Sequence, residues 1–373
     1  MNSLLLVSVN NVLFTIGLVL LAILVILVMI TVHELGHYIS GKIFKFKIDE
    51  FAIGFGPKLF KKVKKNGEIF SIRLLPLGGF CAFNGEDSDV PDKNAFNNKK
   101  PWQRIIVLFS GAFMNYLTSV ILIILLFGIY GNTALVTYNV EPPTAEFTKE
   151  YSFYERDIII KADGKNVYMI TDLMEAVSDR EKGEKVEFIV RRKGKEQKIK
   201  VAMRTDTNFE NLEDIERLYS ALGISYTVTD GEITQSGLYS TGVRYGFFET
   251  IGRSFEYSFK LAGTIFTVLG QLITGSIGIS SMGGTVTTIS VTASAIRVGG
   301  FRNLLNIASF IGVNLAVFNL LPIPALDGSR IVFTGIEWIR KKPLNRRVEG
   351  IIHTVGFVLI LLFAVFVDLQ QCF

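Results

Sequence analysis

The chain has 373 residues, 49% of them apolar and 20% charged, with a formal net charge of +5 and a mean hydropathy of +0.39. A positive mean together with several unbroken apolar runs of bilayer length excludes an ordinary soluble domain and reads as an integral membrane protein. The two cysteines, Cys81 and Cys372, are expected on opposite sides of the membrane, which excludes a disulfide framework, and no aromatic-basic motif makes the positive charge a nucleic-acid surface.

From Val12 to Val32 no charged residue occurs. About 20 apolar residues rising about 1.5 Å each cross a hydrocarbon core of roughly 30 Å, so this is the first expected span. A cleaved signal peptide does not fit: "MNSLLLVSVNN" has no basic region, the run is too long, and no small-x-small site follows. The span leads directly into His33-Glu-x-x-His37. Four apart on a helix, the two imidazoles share a face and can hold Zn²⁺, while Glu34, one step round, reaches a water on the metal without becoming a ligand. Only three histidines occur in the chain and two form this motif, so a third, different ligand is required.

Between Lys42 and Arg104 the chain is dense in lysine and arginine ("KIFKFK", "KLFKKVKK", "NKKPWQR"). Within it "GEIFSIRLLPLGGFCAF" alternates Phe70, Ile72 and Leu74 with Ser71 and Arg73, a strand pattern expected to end at Pro76 and Gly78-Gly79. It is either a surface hairpin or a free edge offered to an unwound substrate segment, with Gly78 and Gly79 letting another backbone close. Ile105 to Tyr130 is the second span. Apolar character is then lost until about Phe247, enough chain for one small domain. In it "RDIIIKADGKNVYMI" reads as strand, Asp-Gly turn, strand. Thr171 is placed to cap the helix "DLMEAVSDR", and "EKVEFIVRRKGKEQKIKVAM" is a hairpin turning at Lys193-Gly194. Thr205 to Ser220 reads as a polar helical addition, and Phe259 to Ile279 as an amphipathic or re-entrant piece. Roughly Leu304 to Leu321 and Ile351 to Val367 complete four spans.

Lysine and arginine mark the short connections that stay inside: the region from Lys42 to Arg104 and "RKKPLNRR" between the last two spans. Both termini and the large insert are therefore expected outside, and the excess charge reads as anchoring against anionic lipid. At the inner end of the third span stands Asp327, in "NLLPIPALDGSR". An acidic group at that depth is a functional candidate, here the third metal ligand. Pro322 and Pro324 free the backbone before it and Gly328 permits the tight geometry after it. A plain helix cap is the alternative. Asn319 could bind a peptide backbone or polarise a carbonyl, or simply bond between helices. His353 reads as a helix-packing residue, and Glu50, Glu86 and Glu349 as solvated face charges.

These residues together resemble the site-2 proteases, most closely the bacterial RseP-type members with one PDZ domain. The resemblance rests on "HELGH", "FAIGFGPKLF", "LLPLGGF", the external insert and "NLLPIPALDG", in that order along nearly the whole chain. Arg156-Asp157 stands where such an insert usually has Gly-Asp, Lys42 where Arg is common, Ser329 where a second Gly usually follows, and "SSMGGTVTT" in place of a usual Gly-Pro. The resemblance implies a polytopic α-helical membrane protein carrying a cytoplasmic β-hairpin and an inserted extracytoplasmic α+β PDZ-like domain. Its parts would be 1–130, 131–245, 246–300 and 301–373. It implies a zinc metalloendopeptidase of the bacterial inner membrane with His33, His37 and Asp327 as ligands, Glu34 as acid/base, and Asn319 in contact with substrate. The hairpin residues Phe70, Ser71, Ile72, Arg73, Leu74, Gly78 and Gly79 would pair with substrate as an added strand. Substrates would be single-span proteins such as anti-sigma factors, signal-peptide remnants or pheromone precursors, already trimmed by a site-1 protease. The insert would either bind peptides or act as a steric filter. A silent membrane adaptor displaying the insert, its zinc structural, is the alternative of a different class.

Overall fold

The computed structural model describes residues 2–86, 90–209, 214–229, 232–235, 237–278 and 283–370. Cys372, Ile279, the beginning of "SSMGGTVTT" and residues 210–213 of the expected polar helix lie outside the described residues. The chain divides into two compact units, Met1–Ile123 with Ser258–Thr267 and Gly278–Phe373, and Ile124–Tyr257 with Val268–Ile277.

Helix α1 (Asn2–Ile43) is followed by strands β1 (Ile48–Val63) and β2 (Ile69–Phe83) and helix α2 (Pro101–Tyr130). Among the described residues four helical stretches are long and apolar enough to cross a membrane: Asn11–Ile43, Pro101–Tyr130, Thr285–Leu320 and Arg346–Gln370. Their outward faces carry exposed leucine, isoleucine and phenylalanine, as at Leu20, Leu24, Ile121 and Leu361, the surface that lipid covers. The first helix runs on past the charge-free stretch that ends at Val32 and carries both histidines, turned inward to a buried site, as the spacing of the motif expects. The third, expected from Leu304, begins at Thr285. Its threonine- and serine-rich first half packs Ala293 and Ile296 on Leu18 and Ala22 of α1, and a non-helical Gly300 (φ 54°, ψ −136°) kinks it.

β1 and β2 are antiparallel overall but bend, at Gly54 and Gly56 in one and at Gly78 in the other, into four short segments. Ile53↔Gly79 back to Glu50↔Ala82 pairs one half, and Lys58↔Arg73 to Val63↔Ile69 the other. Residues from Glu50 to Ile53 also meet Ile69 to Ile72, in a register that rises along both. The expected strand end at Pro76 and Gly78-Gly79 is thus a bend, and β2 resumes through Gly79 to Phe83.

In the second unit β3 (Asn132–Thr137), β4 (Ile158–Ala162), β5 (Lys165–Asn166), helix α3 (Ile170–Val177), β6 (Lys185–Arg192), β7 (Lys195–Ala202), helix α4 (Ile215–Leu222), β8 (Thr227–Thr229), β9 (Glu232–Gln235) and β10 (Leu238–Val243) follow one another. The main sheet runs β10-β3-β4-β6-β7, with β5 on β4 and β8 paired to β9 apart from it. Alternate apolar residues of the strands, Ile159, Phe188 and Val190, bury against Leu173 of α3 and Leu218 and Leu222 of α4. The strand, turn, strand, helix, hairpin order stands where the sequence put it, while β3 and β10 carried no turn signal to announce them. Thr171 does not cap α3: Met169 is the N-cap, and Asp172 accepts the amides of Tyr168 (2.7 Å) and Met169 (3.0 Å). Among the described residues of the expected polar helix, helix begins at Ile215 and runs past Ser220 to Leu222, while Thr207 is drawn inside to the Arg180 amide (2.8 Å). Arg156 adopts φ 64°, a backbone glycine would take at less cost, and Asp157 beside it is fully buried against the Arg192 guanidinium (2.7 and 2.6 Å). Helix α5 (Phe247–Thr274) starts before the expected Phe259; then come α6 (Thr285–Leu320), α7 (Asp327–Arg340) and α8 (Arg346–Gln370).

Candidate metal centre

The helical repeat of α1 stacks His33 and His37, both buried, on the face that meets α2. Their Nε2 atoms are 3.1 Å apart, and Asp327 Oδ2 lies 3.0 Å from that of His33 and 3.2 Å from that of His37. Three donors bound tetrahedrally at about 2.0–2.1 Å lie roughly 3.3 Å apart, so the cluster has the size of a three-ligand zinc site with one position left open. The hydrogen bonding fits too. His37 Nδ1 is 2.8 Å from the Val107 carbonyl, which can only accept, so Nδ1 carries the proton and Nε2 offers its lone pair to a metal. Asp327 Oδ2, buried and facing two imidazole nitrogens, has no hydrogen bond, as expected of an atom whose partner is a cation.

Asp327 reaches this point because α6 stops at Leu320 and α7 starts at Asp327 itself, leaving Pro322 and Pro324 in the irregular stretch between. It is therefore both the first residue of a helix and a member of the cluster. Ala325, in the left-handed region at φ 81°, donates its amide to His353 Nδ1 (3.1 Å). His353 is thus a packing residue with a specific task, bracing the turn that aims Asp327. A Cβ on Gly328 would fall 2.5 Å from the carbonyl carbon of Leu320, so glycine alone fits there.

A cavity of about 360 Å³ opens beside the cluster, lined by its three residues, Glu34, Phe80 to Phe83, Asn319 and Arg330 among others. Glu34 is half-buried in its wall. Asn319 donates one amide hydrogen to the Leu315 carbonyl (2.9 Å), which leaves its carbonyl oxygen and second hydrogen available. The strand beside the cluster overlaps the expected one only at Gly79. Phe70, Ser71 and Ile72 have strand neighbours on both sides, Phe51 to Ile53 and Phe60 to Lys62, and Arg73 pairs with Lys58. They are interior to the sheet, because β1 folds back over them; they and Leu74 are absent from the cavity lining, as is Gly78 at the bend. Gly79 to Phe83 pair only with Ile53 to Ile48 among the described residues, and a Cβ on Gly79 would sit 2.9 Å from the Ala52 carbonyl oxygen and 3.6 Å from Glu34 Cγ. The edge lining the cavity is therefore Phe80 to Phe83, with Gly79 just before it beside Glu34.

The three glutamates expected to be solvated are paired instead. Glu50 accepts from Ser71 (2.6 Å), Arg73 (2.8 Å) and Lys58 (2.9 Å), Glu86 pairs with Arg330, and Glu349 with Arg346 (2.9 Å), because each folds under a basic neighbour from another element or turn. Glu68 is almost wholly buried between Lys42 and Lys64, so lysine at position 42 ties the end of the motif helix to the hairpin. Burial pushes the Glu68 carboxyl up, but hydrogen bonds from Lys42, Lys64, Tyr38 and Asn66 outweigh it and lower it to about 2. Sequence reasoning passed over Val107, Gly111 and Arg330. Of these Gly111 had a signal, since a glycine mid-span marks a close helix approach: a Cβ there would lie 2.7 Å from His33 Cε1.

A family model described as peptidase family M50 matches residues 21–363. Relatives that carry the name zinc metalloprotease include one of Clostridium perfringens, 32% identical over 360 residues, 95% of this chain and 98% of that one. Another, of Fusobacterium nucleatum, is 29% identical over 358 residues, covering 94% and 97%. A third, of Clostridium acetobutylicum, is 30% identical over 353 residues, covering 95% and 96%.

Proposed function

Because this chain belongs to peptidase family M50, the site-2 proteases, and is a zinc metalloprotease of the membrane, we propose that it cuts within the apolar segments of single-span membrane proteins. The cut would be the second of two, made after a site-1 protease has removed the substrate's outer part. The observation that carries this reading is the position of the cluster. His37 lies six residues, or about 9 Å, before the end of a helix long enough to span, and the cavity beside it is walled by both a carboxylate and a strand edge.

Zinc, held by His33, His37 and Asp327, would polarise a scissile carbonyl and acidify the attacking water. Glu34 takes the proton from that water and returns it to the leaving amine, the double role that its place beside the ligands suits. Asn319, with one amide hydrogen free, hydrogen-bonds the oxygen on which charge develops. A substrate helix hides its scissile peptide in its own hydrogen bonds. Laid as an extended strand against Gly79 to Phe83 it exchanges those bonds for new ones, so unwinding in an apolar setting becomes affordable. The basic connections lie on the cytoplasmic side of the bacterial inner membrane and the second unit outside, where it binds the trimmed ends of substrates or excludes bulky ones.

The test uses purified protein in detergent with a single-span substrate, comparing wild type with Glu34→Gln and mapping products by mass spectrometry. A cut inside the apolar segment, lost in the variant while zinc is retained, is expected. Absence of any cut across several substrates by zinc-loaded wild type would refute the reading in favour of an adaptor.

A further inference from the structure

Several buried polar atoms of the first unit have no hydrogen-bond partner among the described residues, Asp327 Oδ2 among them, and two further groups stand on α1 and α2. One is His33 Nδ1, on the far side of the ring from the metal-facing Nε2; the other is the whole side-chain amide of Asn115, Nδ2 and Oδ1 together, on a residue with 0% exposure. An amide and an imidazole N–H left unmade at this depth are each costly, so two of them in one place call for a shared reason.

Their placement supplies it. Val107, Gly111 and Asn115 are spaced by four along α2, one turn apart on one flank. Val107 holds His37 through Nδ1, and Gly111 faces both rings, its missing side chain making room for them. Farther along, Asn115 lies where α1, α2 and α6 converge: a Cβ on Gly312 of α6 would be 3.3 Å from both the Asn115 carbonyl and Met29 Sδ, four residues before His33. Helical side chains lean toward the helix N-terminus, so that of Asn115 leans back over the turn that Gly111 leaves bare, where the His33 ring lies.

We propose that Asn115 is the positioning residue for His33, its Oδ1 accepting the Nδ1 hydrogen as the Val107 carbonyl accepts that of His37. Rotation of the Asn115 amide toward the His33 ring would close the bond in the zinc-loaded protein. It fixes the tautomer with the proton on Nδ1 and the Nε2 lone pair toward the metal, a task that neither α1 nor α7 performs for this ligand. The inference rests on the zinc reading of the site but not on proteolysis, and its readouts are metal binding and spectroscopy.

Full-length protein in detergent is compared with Asn115→Leu, close in volume but apolar, and Asn115→Asp, which keeps the acceptor. Zinc retained against a competing chelator is measured, with the thermal midpoint of the zinc-stripped forms. Asn115→Leu should weaken zinc binding about 10- to 100-fold without lowering the stripped midpoint, since it removes an amide unpaired in that state, and Asn115→Asp should bind more tightly than Asn115→Leu. Unchanged zinc affinity in Asn115→Leu, a stripped midpoint that falls with it, or no recovery in Asn115→Asp would each overturn the proposal. Independently of any variant, ¹⁵N-histidine NMR of zinc-loaded wild type, simplified by the three histidines of the chain, should show Nδ1–H on both ligands. A His33 bound through Nδ1 would refute it.

Discussion

Replacing Gly111 by alanine adds one methyl group where α2 faces the two histidines. The new Cβ would stand 2.6 Å from His37 Cε1 and 2.7 Å from His33 Cε1, against the 3.4 Å at which ordinary van der Waals contact begins, so each ring or the helix must give by about 0.8 Å. The ligand atoms are 3.0 to 3.2 Å apart, and a zinc site tolerates about 0.2 Å in its distances. A displacement several times that tolerance should lower zinc affinity at least tenfold and destabilise the fold by roughly 1–3 kcal/mol through overpacking. Gly36→Ala is the control, because its Cβ meets the backbone of Ser110 (2.8 Å from C) and Met114 Cγ (2.9 Å), not the rings. The assay is zinc per protein by mass spectrometry after gel filtration in detergent, with chelator challenge. Gly111→Ala should emerge depleted in zinc and Gly36→Ala nearer wild type. A Gly111→Ala protein that holds one zinc with wild-type resistance to chelator would refute the claim that this approach sets the ligand geometry.

Other consequences can be checked as directly. Gly79→Val, whose Cβ would stand 3.6 Å from Glu34 Cγ and 2.9 Å from the Ala52 carbonyl oxygen, should lower kcat/KM tenfold or more with zinc content unchanged, as read from product formation and metal analysis; Leu74→Val, before the bend in β2, should not. In the second unit Asp157→Ala leaves Arg192 without its buried partner and should cost about 3 kcal/mol, measured by denaturant unfolding of the full chain. Glu68, held at about 2 against an ordinary 4.5, contributes stability that is complete above pH 4.5 and is lost as pH falls toward 2. The thermal midpoint of wild type should therefore drop through that window more than that of Glu68→Gln, and the two should run parallel from pH 6 to 8.

Much of the candidate cluster was legible because each of its members carries its own local signal. His33 and His37 announce themselves by spacing, and Asp327 by being an acid at the end of an apolar run. Glu34 needed only the helical repeat. The supporting shell was not legible, because contacts such as Val107 with His37 or Ala325 with His353 join residues tens of positions apart through carbonyls and amides that every residue possesses. The hairpin misled for a related reason. Alternation at Phe70 to Leu74 correctly marks a strand, but alternation records which face is apolar and says nothing of how many neighbours the strand has. Only the fold-back of β1 at Gly54 and Gly56 put that stretch inside the sheet and moved the edge to Gly79. Likewise Glu50, Glu68 and Glu86 look alike as letters, and only the lysines and arginines folded over them separate a buried ion pair from a surface charge.

The three residues of the candidate centre are divided between the first helix and the start of α7, with His37 and Asp327 290 positions apart. A ribosome making roughly 5–20 residues per second needs on the order of half a minute to cover that distance. Throughout that time the emerging chain holds two histidines and a glutamate in place but no third ligand. On the reading proposed above, a chain that has not yet reached Asp327 would lack the third donor and could not hydrolyse, so apolar segments inserted beside it would pass a centre that is not yet assembled.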